Sequence, residues 1–279
     1  MASVLITGAS RGIGRATANL LARNGWDTYA GVRQSRDGDV LVEESGGRIH
    51  PVVLDITDPE QVAALEQSLP TTLDAVVNNA GIVVGGPIEA VPLSELRRQL
   101  EVNVVGQVAV TQAVLGRLRR SHGRVVFVSS VSGRISGPMT GAYSGSKYAL
   151  EGIADALRLE LRPWNIPVVL VEPAQTDTDM WRTAEDLLES VVGDLSPEMR
   201  ALYAGHIDGQ RKALPKARKM ATPAEGAAAT IERALTAKRP KARYVVGTGP
   251  RVAAGLVPLL PTRIADAILA ATGGVPRHL

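Results

Sequence analysis

The sequence predicts an α/β fold, a doubly wound parallel sheet of about seven strands with helices on both faces. Three observations lead there. Short apolar runs rich in Val and Ile alternate with amphipathic stretches through the first two thirds of the chain, the pattern of buried parallel strands joined by crossover helices. The first run passes directly into a glycine-rich loop and then into a helical pattern. With 279 residues, 45% of them hydrophobic, the chain can bury a sizeable core, and no polar linker or internal repeat divides it.

Residues 3–7, 28–32, 51–54, 75–78, 124–129 and 167–171 read as buried strands, and residues 243–246 as a seventh. Residues 13–24, 59–69, 93–119, 142–162 and 223–237 carry helical periodicity. Asp58 is placed to cap the second of these, with Pro59 at the first helical position, where a missing N–H costs nothing. Pro163 stops the fourth. From 177 to about 222 the pattern changes to mixed charges with Pro197 and Pro215 and no long apolar run. So long a segment inside a compact fold is expected to be a lid or substrate-binding insertion. A C-terminal extension at about 250–279 is apolar again, but Pro258, Pro261, Arg263 and Asp266 interrupt it. Proline and charge in so short a run argue for a packing or lid element rather than a membrane span, with contact at a membrane surface as the alternative.

Composition removes several classes of function. There is no cysteine, which excludes disulfides and cysteine-ligated zinc. The histidines, His50, His122, His206 and His278, have no ligand spacing, so no metal site is expected. A net charge of +3 and only 3% aromatic residues disfavour nucleic-acid binding. The apolar run Val4-Leu5-Ile6-Thr7 is too short for a secretion signal, and the sequence is read as that of a cytoplasmic protein.

Two local patterns carry chemistry. Tyr143 and Lys147 stand four apart, so one helical turn sets a phenol beside an ammonium. A phenol ordinarily titrates near 10, and a neighbouring cation favours its phenolate, which would bring it into range for acid–base work. The loop Thr7-Gly8-Ala9-Ser10-Arg11-Gly12-Ile13-Gly14 joins a strand to a helix. Glycines there permit a tight turn and let a pyrophosphate approach the free N–H groups of the helix end.

The spacing of Gly8, Gly12 and Gly14 resembles the T-G-x-x-x-G-x-G loop of the short-chain dehydrogenase/reductase family. So do Asn78-Asn79-Ala80-Gly81 after the fourth strand, Asn103 in the long helix, Ser130 after the fifth strand, and Tyr143 with Lys147, thirteen and seventeen residues after that serine. The resemblance spans almost the whole chain and implies one Rossmann-type oxidoreductase domain over residues 1–279. It implies Asn103, Ser130, Tyr143 and Lys147 as catalytic residues. Tyr143 would exchange the proton, Ser130 would bind the carbonyl oxygen, Lys147 would tune Tyr143 and hold the nicotinamide ribose, and Asn103 would position a relay water. It implies a dinucleotide held by Gly8, Ser10, Arg11, Gly12, Ile13, Gly14, Arg33, Asp55, Ile56, Asn79, Ala80, Gly81, Tyr143, Lys147, Pro173, Thr176 and Thr178. The family's usual Pro-Gly after the sixth strand is Pro173-Ala174 here.

Charge selects the dinucleotide. The position at which an acidic side chain would hold a free ribose hydroxyl is Val32, followed by Arg33, with Arg11 in the loop nearby. Two cations and no carboxylate suit a 2′-phosphate, so NADP(H) is expected over NAD(H). Lys147-Tyr148-Ala149-Leu150-Glu151-Gly152 and the apolar tail resemble the 17β-hydroxysteroid and retinol dehydrogenase branch. That implies a hydrophobic alcohol or ketone, steroid-, retinoid- or lipid-like. Val131, Gly133, Ile135, Met139, Met180 and Trp181 are candidate pocket residues. The alternatives are a 3-oxoacyl thioester reductase and a dinucleotide-sensing protein without turnover. The resemblance also suggests a homodimer or homotetramer.

Overall fold

The computed structural model describes residues 1–276, the side chain of Met180 excepted. Its first half runs β1 (Ser3–Ile6), α1 (Gly12–Arg23), β2 (Asp27–Val32), α2 (Ser35–Ser45), β3 (Ile49–Val53), α3 (Pro59–Ala63), α4 (Leu65–Ser68), β4 (Ala75–Asn78), α5 (Leu93–Leu100) and α6 (Gly106–Ser121). Then follow β5 (Arg124–Val128), α7 (Gly141–Glu160), β6 (Val168–Glu172), β7 (Thr176–Asp177), α8 (Asp179–Arg182), α9 (Ala184–Asp194), α10 (Pro197–Leu202) and α11 (Ala204–Lys219). The chain continues through β8 (Thr222–Pro223), α12 (Ala224–Thr236), β9 (Arg243–Val245), α13 (Thr248–Leu256) and α14 (Thr262–Thr272).

Seven strands form one parallel sheet in the order β3-β2-β1-β4-β5-β6-β9. The alternation of side chains along each strand buries both faces. Val4 and Ile6 point with Val126 and Val169 to one side, against α1 and α12. Leu5 points with Phe127 and Leu170 to the other, against α6 and α7. The chain winds outward from β1 to β3 and then returns to start again at β4. The order therefore reverses between β1 and β4, where open α/β sheets leave a crevice at their carboxyl ends.

All seven predicted strands are present, and three helical expectations are revised. The helix expected over 93–119 is interrupted by a π-turn at Glu101–Val105, which separates α5 from α6. The stretch expected as one helix over 59–69 is two short ones, divided at Ala64. Helix α2 was not anticipated because SRDGDVLVEES is mostly polar and buries only Gly38 and Leu41. The segment from 177 to 222 folds as the four helices α8 to α11, and its ends are tied by the parallel pairing of β7 with β8.

Candidate active site

The glycine loop lies at the reversal of strand order, pressed against the loop after β4. Gly8 and Gly12 have φ of +64° and +56°, values that side chains rarely tolerate. A Cβ at Gly8 would meet the Ala80 Cα at 2.8 Å, and one at Gly14 would meet the Gly8 carbonyl oxygen at 2.3 Å. Thr7 and Asn79 clamp the two loops together. The Thr7 hydroxyl accepts from the N–H groups of Asn79 and Ala80, both at 3.0 Å, while the Asn79 amide donates to the Thr7 and Gly8 carbonyls. Asn79 thus braces the loop, and Ile13, in the first turn of α1, packs against the core. The loop leaves the first turn of α1 without a side-chain cap, since Arg11 at the N-cap makes no such bond. Free N–H groups at a helix end next to glycine are what an anionic diphosphate requires.

Beside this loop a cleft of about 290 Å³ is lined by Ser10, Arg11, Arg33, Gln34, Arg36 and Asp37. The structure therefore brings Arg11 and Arg33 together, as expected from the sequence, and adds Arg36 from the first turn of α2; it also adds the carboxylate of Asp37, which the sequence reading did not expect there and which the three guanidiniums outnumber. Arg36 was missed because the helix carrying it was missed. Val32, where a carboxylate would sit, is buried and apolar. On the other side of the loop, Asp55 accepts from the N–H and hydroxyl of Thr57 at 2.9 and 2.7 Å. Burial raises its pKa, but the two Thr57 hydrogen bonds and the charge of Arg33 outweigh that and hold Asp55 below the ordinary carboxylate range. Ile56 is buried against Gly106.

Asn103 sits in the π-turn between α5 and α6 and is completely buried. Its amide oxygen accepts from the Ile82 N–H at 2.9 Å, and its nitrogen donates to the Ile82 carbonyl at 3.0 Å and the Ser146 hydroxyl at 3.1 Å. Ser146 in turn donates to the Tyr143 carbonyl at 2.7 Å. Asn103 is joined to the turn of α7 that bears Tyr143, and its amide is spent on protein groups rather than aimed at Lys147. It has company that sequence reading missed. Gln99 bonds Val84 and Ile82, and Gln107 donates to the Ala80 carbonyl at 2.7 Å. The three amides at 99, 103 and 107 form one clamp on residues 80–84. Their spacing of four was the available signal.

Ser130 follows β5, and its hydroxyl caps the short turn Val131–Gly133 by accepting from the Ser132 N–H at 3.1 Å. It also faces the Pro173 carbonyl at 3.4 Å. Turn capping and proximity to Tyr143 are thus both true of this serine. Lys147 is buried, and its ammonium donates to the Val128 carbonyl at 2.8 Å and lies 5.7 Å from the Tyr143 ring centre. Burial lowers its pKa to about 8 against the opposing charge of Glu151. The expected lowering of the Tyr143 pKa is not what the structure gives. Burial raises the phenol, and the opposing influence is the Ser130 hydroxyl rather than Lys147. A phenol shifted this way keeps its proton at neutral pH.

Thr178 packs against the glycine loop, its Cγ2 3.1 Å from where a Gly12 Cβ would be. Thr176 is buried in the β7–β8 ribbon with its hydroxyl on the Ala174 carbonyl at 3.2 Å, so it shapes the turn. Pro173 presents its carbonyl to Val131 and Ser130. Of the candidate pocket residues, Gly133 is revised to a packing position, because a Cβ there would meet Glu151, Ser129 and the Lys147 carbonyl within 3.1 Å. Met139, at φ +63°, packs against the Leu188 and Val192 cluster of α9. The side chain of Met180 lies outside the described residues. A second cleft, of about 310 Å³, runs between residues 83–98 and α9, with Val83, Val84, Pro87, Val91, Leu187 and Val191 in its wall.

Known proteins match this arrangement. The family described as short chain dehydrogenase matches residues 2–188. An NADPH-dependent 3-dehydrocapnine reductase of Ornithobacterium rhinotracheale is 35% identical over 278 residues, covering 96% of either chain. Retinol dehydrogenase 5 of Mus musculus is 32% identical over 279 residues, covering 96% of this chain and 87% of its own. Among solved structures, a short chain dehydrogenase from Burkholderia cenocepacia J2315 in complex with NADP superposes with a TM-score of 0.74 at 25% identity, over 96% of this chain and 97% of that one. A doubly wound sheet, a glycine cradle at its reversal point and a family match over two thirds of the length agree, and the chain belongs to the short-chain dehydrogenase/reductase family of oxidoreductases.

Proposed function

We propose that this protein reduces a hydrophobic ketone or aldehyde with NADPH, or runs the same reaction in reverse, with Tyr143 as general acid or base. The observation that carries the proposal is the convergence of Ser130, Tyr143 and Lys147 at the carboxyl end of β5, in the same sheet whose reversal point holds the glycine cradle. The cradle fits a dinucleotide diphosphate, because each of its three glycines meets a neighbour where a side chain would stand. The triple-arginine cleft favours a 2′-phosphate, and the NADPH-dependent relative supports that preference.

When bound, the nicotinamide supplies the hydride. Tyr143, kept protonated by burial, gives its proton to the carbonyl oxygen, and Ser130 donates a hydrogen bond that orients this oxygen. The phenolate left behind lies near the Lys147 ammonium, which holds it until a proton returns. Asn103 fixes α7 relative to the loop at 80–84, so the phenol keeps its position. The apolar wall of the second cleft supports a hydrophobic substrate, and Arg98 at its rim is already paired with Glu95 at 2.6 Å. The lining of that cleft sets one cation, Arg98, against two carboxylates, Glu95 and Asp194, a poor match for a carrier phosphate, which ranks a thioester substrate below a ketone.

The test is NADPH consumption against steroid, retinoid, fatty, small and 3-oxoacyl thioester carbonyls, for the native protein and Tyr143→Phe. The native protein is expected to prefer apolar ketones. Tyr143→Phe is expected to lose at least a hundredfold in kcat while NADPH affinity changes less than threefold. Turnover retained in the variant would remove Tyr143 from the mechanism.

A further inference from the structure

Behind Lys147 the structure holds a cluster of buried carboxylates for which the reaction above has no use. Glu151 follows Lys147 by one turn of α7, and Glu172 ends β6; they are 6% and 0% exposed. One guanidinium nitrogen serves both, since Arg243 Nε lies 2.9 Å from Glu151 Oε2 and 3.4 Å from Glu172 Oε1. Neither Glu172 oxygen nor Glu151 Oε1 has a hydrogen-bond partner. Arg134 approaches Glu172 only to 3.7 Å.

The remaining charges around them are committed elsewhere. Asp155 on α7 is bonded to Arg243 Nη2 at 2.7 Å and to Arg158 at 2.6 Å. From α7 the cluster also faces Lys147, and β5 offers the Val128 carbonyl that anchors Lys147, with the unpartnered Ser129 hydroxyl just beyond it. Two carboxylates that meet over one nitrogen in a dry interior cannot both be ionised without large cost. A proton shared between them removes the repulsion and gives one of the orphaned oxygens a donor.

We propose that Glu151 and Glu172 form a proton-sharing carboxylate pair in which Glu151 is a positioning residue that keeps the Lys147 ammonium charged and in place. The proposal rests on the reading of Lys147 as the partner of Tyr143. Glu151 supplies the charge that opposes burial at Lys147, whose pKa is about 8. Glu172 is raised to about 7, first by burial and then by Glu151, so the pair takes up or gives away a proton near neutral pH. Ionisation of Glu172 adds negative charge behind Glu151 and favours the ammonium at the alkaline end, where Lys147 would otherwise go neutral.

The chain has six lysines, Lys147 and five others at 212, 216, 219, 238 and 241, so Nζ resonances of isotope-labelled lysine resolve its titration directly. Glu151→Gln is expected to move the Lys147 midpoint down by about one pH unit. The alkaline limb of kcat for carbonyl reduction should move with it at unchanged KM, and Glu151→Asp should recover part of the shift. An unmoved Lys147 midpoint in folded Glu151→Gln overturns the proposal. Should that variant fail to fold, the native protein decides. Its infrared spectrum is expected to show a buried protonated carboxyl that ionises near pH 7 and is missing in Glu172→Gln. Absence of that band in the native protein also overturns it. The lysine titration and the infrared band need no turnover, so a failed Tyr143→Phe test and a failed carboxylate pair are told apart.

Discussion

Arg33 shows how a single side chain was legible in the sequence while its surroundings were not. Its place after the second strand, with Val32 where an acid would be, follows from counting residues. That Arg36 stands in the same cleft depends on α2 starting at Ser35, a helix its polar sequence does not announce. With three arginines on one cleft, the proposed preference for a 2′-phosphate is spread over all of them. Arg33→Asp places a carboxylate where a free ribose hydroxyl would be held and adds repulsion to a 2′-phosphate. The ratio of kcat/KM for NADPH over NADH is expected to fall at least tenfold, a change of about 1.4 kcal/mol. An unchanged ratio would place the phosphate on Arg11 and Arg36. The phenol of Tyr143 teaches the same lesson in reverse. Its spacing from Lys147 was plain, yet its acidity is governed by burial, which spacing does not report.

Among the elements, the α5–α6 pair is where local sequence misled. Residues 93–119 carry an unbroken helical period, and nothing in Glu101-Val102-Asn103-Val104-Val105 resembles a breaker. The π-turn forms there because Gln99, Asn103 and Gln107 each have a backbone group of residues 80–84 to satisfy, a tertiary demand. Gln107→Leu leaves the Ala80 carbonyl without its donor, while the loop beside Gly8 stays under the Thr7 clamp. A buried acceptor without a partner costs about 1–3 kcal/mol. Urea unfolding is expected to show that loss, and the KM for NADPH should rise severalfold as the chain just after Ala80, beyond the Thr7 clamp, relaxes. Equal stability of variant and native protein would mean that the Ala80 carbonyl had found another donor.

Across the whole molecule, the chain from 177 to 222 breaks the strand–helix alternation that builds the sheet and packs as helices whose ends are joined by the short β7–β8 pairing. Helix α11 presents Gly205 and Gly209 to the end of the chain. A Cβ at Gly209 would meet the Gly274 carbonyl oxygen at 2.1 Å, and one at Gly205 would meet Pro276 at 2.9 Å. Gly273 is equally tight against Pro138, in the loop before α7. The tail is thus seated between the insertion and the α7 side of the site. Its outer surface leaves Val252, Leu256, Leu259 and Ile264 exposed, and no helix among the described residues is long and apolar enough to cross a membrane. Gly209→Ala is expected to unseat α14. Limited proteolysis should then cut between α13 and α14 several times faster than in the native protein, with thermal stability lowered by about 1–3 kcal/mol. Unchanged proteolysis would show that the tail is held by other contacts.

The sequence by itself determined the strand order's raw material, the glycine cradle and the spacing of Ser130, Tyr143 and Lys147. Those are local facts, written in periodicity and in turn chemistry that neighbours along the chain enforce. The tertiary structure alone decided that Asn103 and two glutamines clamp one loop, that a third arginine joins the first two, and that Glu151 and Glu172 meet behind Lys147. Each of these brings together side chains from separate elements. Their energies come from burial and from unpaired polar groups, which exist only once the sheet has closed both of its faces.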